Sequence, residues 1–146
     1  MVIGKAGRHV PETTASEHIL GYSLFNDGSV HERQKHSIYA GKNFAGSGSW
    51  GSWIVTANEI ENILALILTT MLNGEQVQHT TGDQMIYSIA TQISYASNLF
   101  PLEVGDVIAT SSPDGSGISR LPKRYLRSSD LLEISVSGIG TRRNAV

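Results

Sequence analysis

Asn73-Gly74 constrains the fold of this chain more than any other pair of residues. It is preceded by Leu64 to Leu72, an aliphatic run rich in threonine, and followed by Glu75-Gln76-Val77-Gln78. A two-residue hairpin turn needs positive φ at its central positions, and Asn-Gly meets that need at least cost. The region therefore reads as two antiparallel strands. A further strand is read over His18 to Asp27, where His18, Leu20, Tyr22, Leu24 and Asn26 alternate with Ile19, Gly21, Ser23, Phe25 and Asp27. Its last carboxylate, Asp27, emerges at a sheet end. Asp106 to Thr110 and Leu131 to Val136 read as further strands, and Ser111 to Leu121 has the Gly, Ser and Pro content of a functional loop.

Helix is the minority element. Met85, Ile86, Ile89, Ile93, Ala96 and Phe100 recur at helical spacing, with Thr81 and Gln84 placed as a capping box. The 15 glycines follow no fixed period and read as turns within one β-rich unit. The predicted class is mainly β (α+β), sheet packed on sheet with one long helix, in a single domain over residues 1–146. A chain of 146 residues can bury a core without disulfides, and it has no cysteine. A net charge of −2 gives no general attraction to nucleic acid or anionic lipid, and no apolar run is long enough to span a bilayer. Met1-Val2-Ile3-Gly4-Lys5 lacks the features of a signal peptide, so a soluble, cytoplasmic protein is expected.

Several patterns invite chemistry and fail on inspection. Gly46-Ser47-Gly48-Ser49-Trp50-Gly51 fits G-x-G-x-x-G, yet Ser52-Trp53-Ile54-Val55-Thr56 reads as a strand where a dinucleotide site needs a helix. His31-Glu32 begins a zinc-protease motif, but Lys35 stands where the second histidine is required and His36 is displaced by one residue. His9, His18, His36 and His79 form no ligand spacing. Arg120, Lys123, Arg124 and Arg127 read as a solvated basic face with only Tyr125 as an aromatic platform, so no nucleic-acid partner is expected. Asp27 before Gly28 is a turn by local chemistry alone.

Val2-Ile3-Gly4-Lys5, Phe25-Asn26-Asp27-Gly28-Ser29 with Gln34, and Gly41-Lys42-Asn43-Phe44 stand in one order along the chain. Leu72-Asn73-Gly74-Glu75, Asp83-Gln84-Met85-Ile86-Tyr87-Ser88, Gly105-Asp106-Val107-Ile108, Ser112-Pro113-Asp114-Gly115 and Gly138-Ile139-Gly140-Thr141 continue it. In these motifs the chain resembles the fumarylacetoacetate hydrolase family over nearly its whole length. The resemblance implies the mixed β-sandwich/roll of the fumarylacetoacetase C-terminal type. It also implies a metal-dependent hydrolase acting on carbon–carbon bonds of β-diketo or 2-oxo acids in catabolism, with relatives that decarboxylate or isomerise.

Residue by residue, the resemblance makes Asp27 a ligand of Mg²⁺ (or Ca²⁺ or Mn²⁺) and Lys42 the catalytic lysine that stabilises an enolate. Gln34, Ser112 and His31 become substrate contacts, and a homodimer is expected. His31 stands where the family usually has an arginine that grips a carboxylate, Ser111 replaces a glycine, Ser128-Ser129-Asp130 stands for Pro-Gly-Asp, and Asn62-Ile63 for Asp-Pro. The family's two other metal carboxylates and its water-activating His and Glu lie upstream of the Val-Ile-Gly-Lys run, which begins here at Val2. The chain thus reads as a domain lacking its N-terminal portion. The alternative is a truncated, catalytically inactive domain that folds and dimerises or binds anions.

Overall fold

The computed structural model describes residues 1–146. Its strands are β1 (Val2–Ile3), β2 (Ile19–Tyr22), β3 (Phe25–Asp27), β4 (Gly48–Trp50), β5 (Val55–Thr56), β6 (Ile67–Leu72), β7 (Glu75–Thr81), β8 (Leu131–Val136) and β9 (Gly140–Ala145). They form a three-stranded sheet in the order β1-β2-β5, a two-stranded ribbon of β3 and β4, and a four-stranded sheet in the order β7-β6-β8-β9, all antiparallel. Helices are short at α1 (His31–Gln34) and α2 (Ile38–Lys42), with one long helix, α3 (Ile89–Leu99). No helix is long and apolar enough to cross a membrane.

The Asn73-Gly74 hairpin forms as read. Asn73 and Gly74 have φ of 52° and 82°, and β6 and β7 pair from Ile67↔Thr81 to Leu72↔Glu75. Leu131 to Val136 also forms as read, pairing with both β6 and β9. The strand read over His18 to Asp27 is divided at Ser23-Leu24, so that β2 joins one sheet and β3 another.

Two readings are corrected. Asp106 to Thr110 is extended against β1 but makes only one bridge, Val2↔Val107, because β1 offers two residues and Asp106 folds its carboxylate back onto the Glu103 amide (2.8 Å). The long helix starts at Ile89, not near Thr81. Thr81 is still in the ladder opposite Ile67, and Gly82–Gln84 is a single 3-10 turn. Ser88 is the cap, its hydroxyl accepting from the Thr91 amide at 3.0 Å. Met85 and Ile86 therefore precede the helix, and Phe100 follows it.

Two apolar clusters result. Met1, Ile3, Val10, Ala15, Ile93 and Leu102 pack under α3, while Leu24, Leu72, Leu132, Ile134 and Ile139 pack on the four-stranded sheet. Tyr22 touches both clusters. The ribbon is tied to the large sheet by Arg142, which donates to the Trp50 carbonyl (2.9 Å) and to Ser49 Oγ (3.2 Å), and by Trp53 Nε1, which donates to the Ile139 carbonyl at 2.7 Å. This tie brings the end of β3 over the face of β6 and β8.

Candidate functional site

Asp27 is the last residue of β3, opposite Gly48. The chain can turn immediately after it because Gly28 has no side chain: a Cβ there would stand 2.1 Å from the Ser47 carbonyl oxygen. α1 and α2 then pack against each other through Gly41, where a Cβ would meet Gln34 Cγ at 2.2 Å. Ser37 caps α2 by accepting from the Ala40 amide. Lys42 is thus the last residue of a helix rather than a loop residue. Its ammonium donates to Asp27 Oδ2, with the two side chains 29% and 32% exposed.

Gln34 and His31 pair with each other. His31 Nδ1 donates to Gln34 Oε1 at 2.9 Å, one helical turn along α1, and neither residue lines the cleft that begins at Asp27. That cleft has a volume of about 760 Å³ and runs from Asp27 and Trp50 to the loop of Ser111, Ser112, Pro113 and Asp114. Its floor is aliphatic, built from Leu66, Leu68, Ile134, Val136 and Ile139. An apolar cavity with a few converging polar groups is the usual form of a small-molecule site. Asp27 and Ser112, 85 residues apart in sequence, line this cleft; Lys42 is not among its lining residues and is joined to it through its ion pair with Asp27.

Ser111, which replaces a glycine, does not have a positive φ; the non-glycine residues that do are His9, Asn73 and Ser129. Backbone strain falls at Ser129 instead, at φ 75°, where the turn is kept by Asp130, which accepts from the Arg127 amide and from Asn73 Nδ2, both at 2.8 Å. These bonds hold the Asp130 carboxyl below its usual range, Asn73 contributing most.

His79 and Tyr22 also line the cleft and were missed by sequence reasoning. His79 enters through the register Thr69↔His79, where its Nδ1 shares a hydrogen bond of 3.1 Å with Thr69 Oγ1. No spacing motif announces this position. Burial raises the Tyr22 phenol above its ordinary range.

A divalent metal at Asp27 would want several hard oxygen donors. The donor set of this chain does not fit one: Oδ2 of Asp27 is engaged by Lys42, and no three His, Cys, Asp or Glu side chains stand together to hold an ion.

The family model described as Fumarylacetoacetate (FAA) hydrolase C-terminal matches residues 1–146. The chain is 34% identical over 148 residues to oxaloacetate tautomerase YisK of Bacillus subtilis, covering 100% of this chain and 49% of that protein. The fold superposes with a TM-score of 0.95 on a fumarylacetoacetate hydrolase of psychrophilic Exiguobacterium antarcticum, 34% identical, covering 99% of this chain and 53% of that one. It also matches fumarylpyruvate hydrolase of Pseudomonas aeruginosa in complex with Mn²⁺ and pyruvate, at a TM-score of 0.89 and 26% identity, covering 99% and 61%. The chain spans about half the length of the curated relatives it matches.

Proposed function

The chain belongs to the fumarylacetoacetate hydrolase family, and on that premise we propose that its cleft binds a small 2-oxo or β-diketo acid and stabilises the enolate of that acid. The observation that carries the reading is that Asp27, which holds the Lys42 ammonium, and Ser112 line one cleft. The acid's carboxylate takes the Ser112 hydroxyl and neighbouring amides, and its 2-oxo oxygen faces the Lys42 ammonium. A fixed cation at the place where negative charge develops lowers the barrier more than it tightens ground-state binding. Asp27 holds Lys42 in position. Gln34, which packs on Gly41 beside Lys42 and is held by His31, positions Lys42 from behind.

Enolate stabilisation is common to carbon–carbon bond hydrolysis and to keto–enol tautomerisation. Hydrolysis of a β-diketo acid is the finer reading; it further requires a group that activates water. A divalent metal such as the Mn²⁺ of the fumarylpyruvate hydrolase complex would take most of its ligands from outside these 146 residues. Homodimerisation belongs to the same reading and is checked by mass in solution. The second reading, an anion-binding domain without turnover, is favoured by the incomplete metal donor set.

Oxalate binding and turnover of oxaloacetate and acylpyruvates, each with chelator and with Mn²⁺, distinguish these. Lys42→Ala is expected to lower turnover about 100-fold or more. Wild-type turnover in Lys42→Ala, or a wild-type chain that neither binds oxalate nor turns over any of these acids, overturns the proposal. Oxalate binding without turnover selects the second reading.

A further inference from the structure

The basic residues from Arg120 to Arg127 are not a uniform solvated face. Arg120 Nη2 donates to the Val77 carbonyl at 2.8 Å, Nε donates to the Gly115 carbonyl at 3.2 Å, and Nη1 lies 3.6 Å from Glu75 Oε1. The other oxygen of Glu75 takes Arg124 Nη1 at 2.5 Å. One guanidinium therefore joins strand β7 to the loop that follows Ser112.

β7 is an edge of the four-stranded sheet, and an edge strand presents unpaired carbonyls. The loop covers this edge at successive points. Gln78 Nε2 donates to the Pro113 carbonyl at 3.0 Å. Gly115, at φ +99°, lies so close that a Cβ would stand 2.1 Å from the Val77 oxygen. Within the loop itself, Arg124 donates its amide to the Gly117 carbonyl at 2.9 Å. Ser112, Pro113 and Asp114 line the cleft, whereas Arg120 lies outside it, bordering a separate hollow with Leu121 and Lys123.

We infer that Arg120 is a positioning residue for ligand binding: its guanidinium fixes the loop on the edge of β7 and so holds Ser112 and the adjacent amides in place to receive an acid's carboxylate. This rests on the reading of Ser112 as the carboxylate contact. A planar fork serves three acceptors lying in different directions, and a lysine in the same place reaches one of them. An unlatched loop must be ordered at each binding event, and that entropy is subtracted from affinity.

The test compares wild type, Arg120→Ala, Arg120→Lys, Gln78→Ala and Ser112→Ala, first by amide hydrogen exchange without ligand and then by oxalate titration well below the melting temperature. Arg120→Ala is expected to speed exchange at residues 114–117 by about tenfold while β6 and β8 stay protected. It is also expected to raise the oxalate dissociation constant about tenfold, with Arg120→Lys between it and wild type. Gln78→Ala, which removes an independent strap, should move both readouts in the same direction and decides the matter if Arg120→Ala does not fold. A residue that only stabilises the fold would lower the melting temperature and leave oxalate affinity unchanged. Unchanged exchange in the loop, or a loosened loop with wild-type affinity, overturns the inference. If oxalate does not bind wild type, or binds Ser112→Ala equally well, the proposed function fails, and loop exchange alone then decides whether Arg120 is the latch.

Discussion

Replacing Asp27 by asparagine should strengthen the binding of an anion to the metal-free chain, the opposite of what loss of a site residue usually does. Asp27 puts a carboxylate against the one ammonium in its vicinity that a substrate acid would use, and both side chains are about two-thirds buried or more. An oxalate oxygen seated at Lys42 would lie roughly 5 Å from that carboxylate, where two unit charges repel by about 1 kcal/mol in water and about 3 kcal/mol at an effective dielectric of about 20. Partial exposure places the effect toward the lower figure, so about tenfold tighter binding is expected for Asp27→Asn. The ion pair itself contributes about 0.5–1 kcal/mol to folding, so the variant remains folded. The assay is calorimetric titration with oxalate in chelator at low ionic strength, repeated with added salt, which should shrink the difference by screening. Weaker or unchanged oxalate binding by Asp27→Asn at low salt refutes the placement of the anion beside Lys42.

Two further outcomes test the fold. Ser129→Gly should raise stability by about 1 kcal/mol, because it relieves a non-glycine residue at φ 75° while Asp130 keeps the turn; a lower midpoint in urea would show that Ser129 is not strained. In the 146-residue polypeptide with a free α-amino group, burial lowers the Met1 ammonium from 8.0 to about 6. Between those values the unfolded chain binds more protons, so stability is fully present above about pH 8 and falls by about 2–3 kcal/mol as pH drops through 6; an Nα-acetylated chain should lose this component, and identical pH profiles for the two forms would refute it.

What could be read from the sequence was what neighbouring residues settle among themselves. Asn73-Gly74 adopts two positive φ values, and the strands either side pair across it. Leu131 to Val136 forms a strand at the expected bounds. Asp27, Lys42 and Ser112 were named from the family resemblance; Asp27 and Ser112 line one cleft, and Lys42 pairs with Asp27. Glycines 28 and 41, which those motifs carry, are required by backbone and side-chain contacts too close for a Cβ.

Tertiary structure decided the rest, wherever two local solutions competed or the partner was distant. Thr81 and Gln84 had the spacing of a cap, but the β6–β7 ladder still holds Thr81, so the helix waits for Ser88. Asp106 to Thr110 had the composition of a strand and found only the two residues of β1 to pair with. His31 and Gln34 were read as substrate contacts, yet their spacing of three on a helix turns them toward each other. Arg120 looked like one charge in a solvated run until Val77 and Gly115, 43 and five residues away, supplied its acceptors. A turn or a period is an energy summed over adjacent residues and is written in the sequence; a latch, a cleft wall or an ion pair exists only once long-range packing has fixed which surfaces face each other.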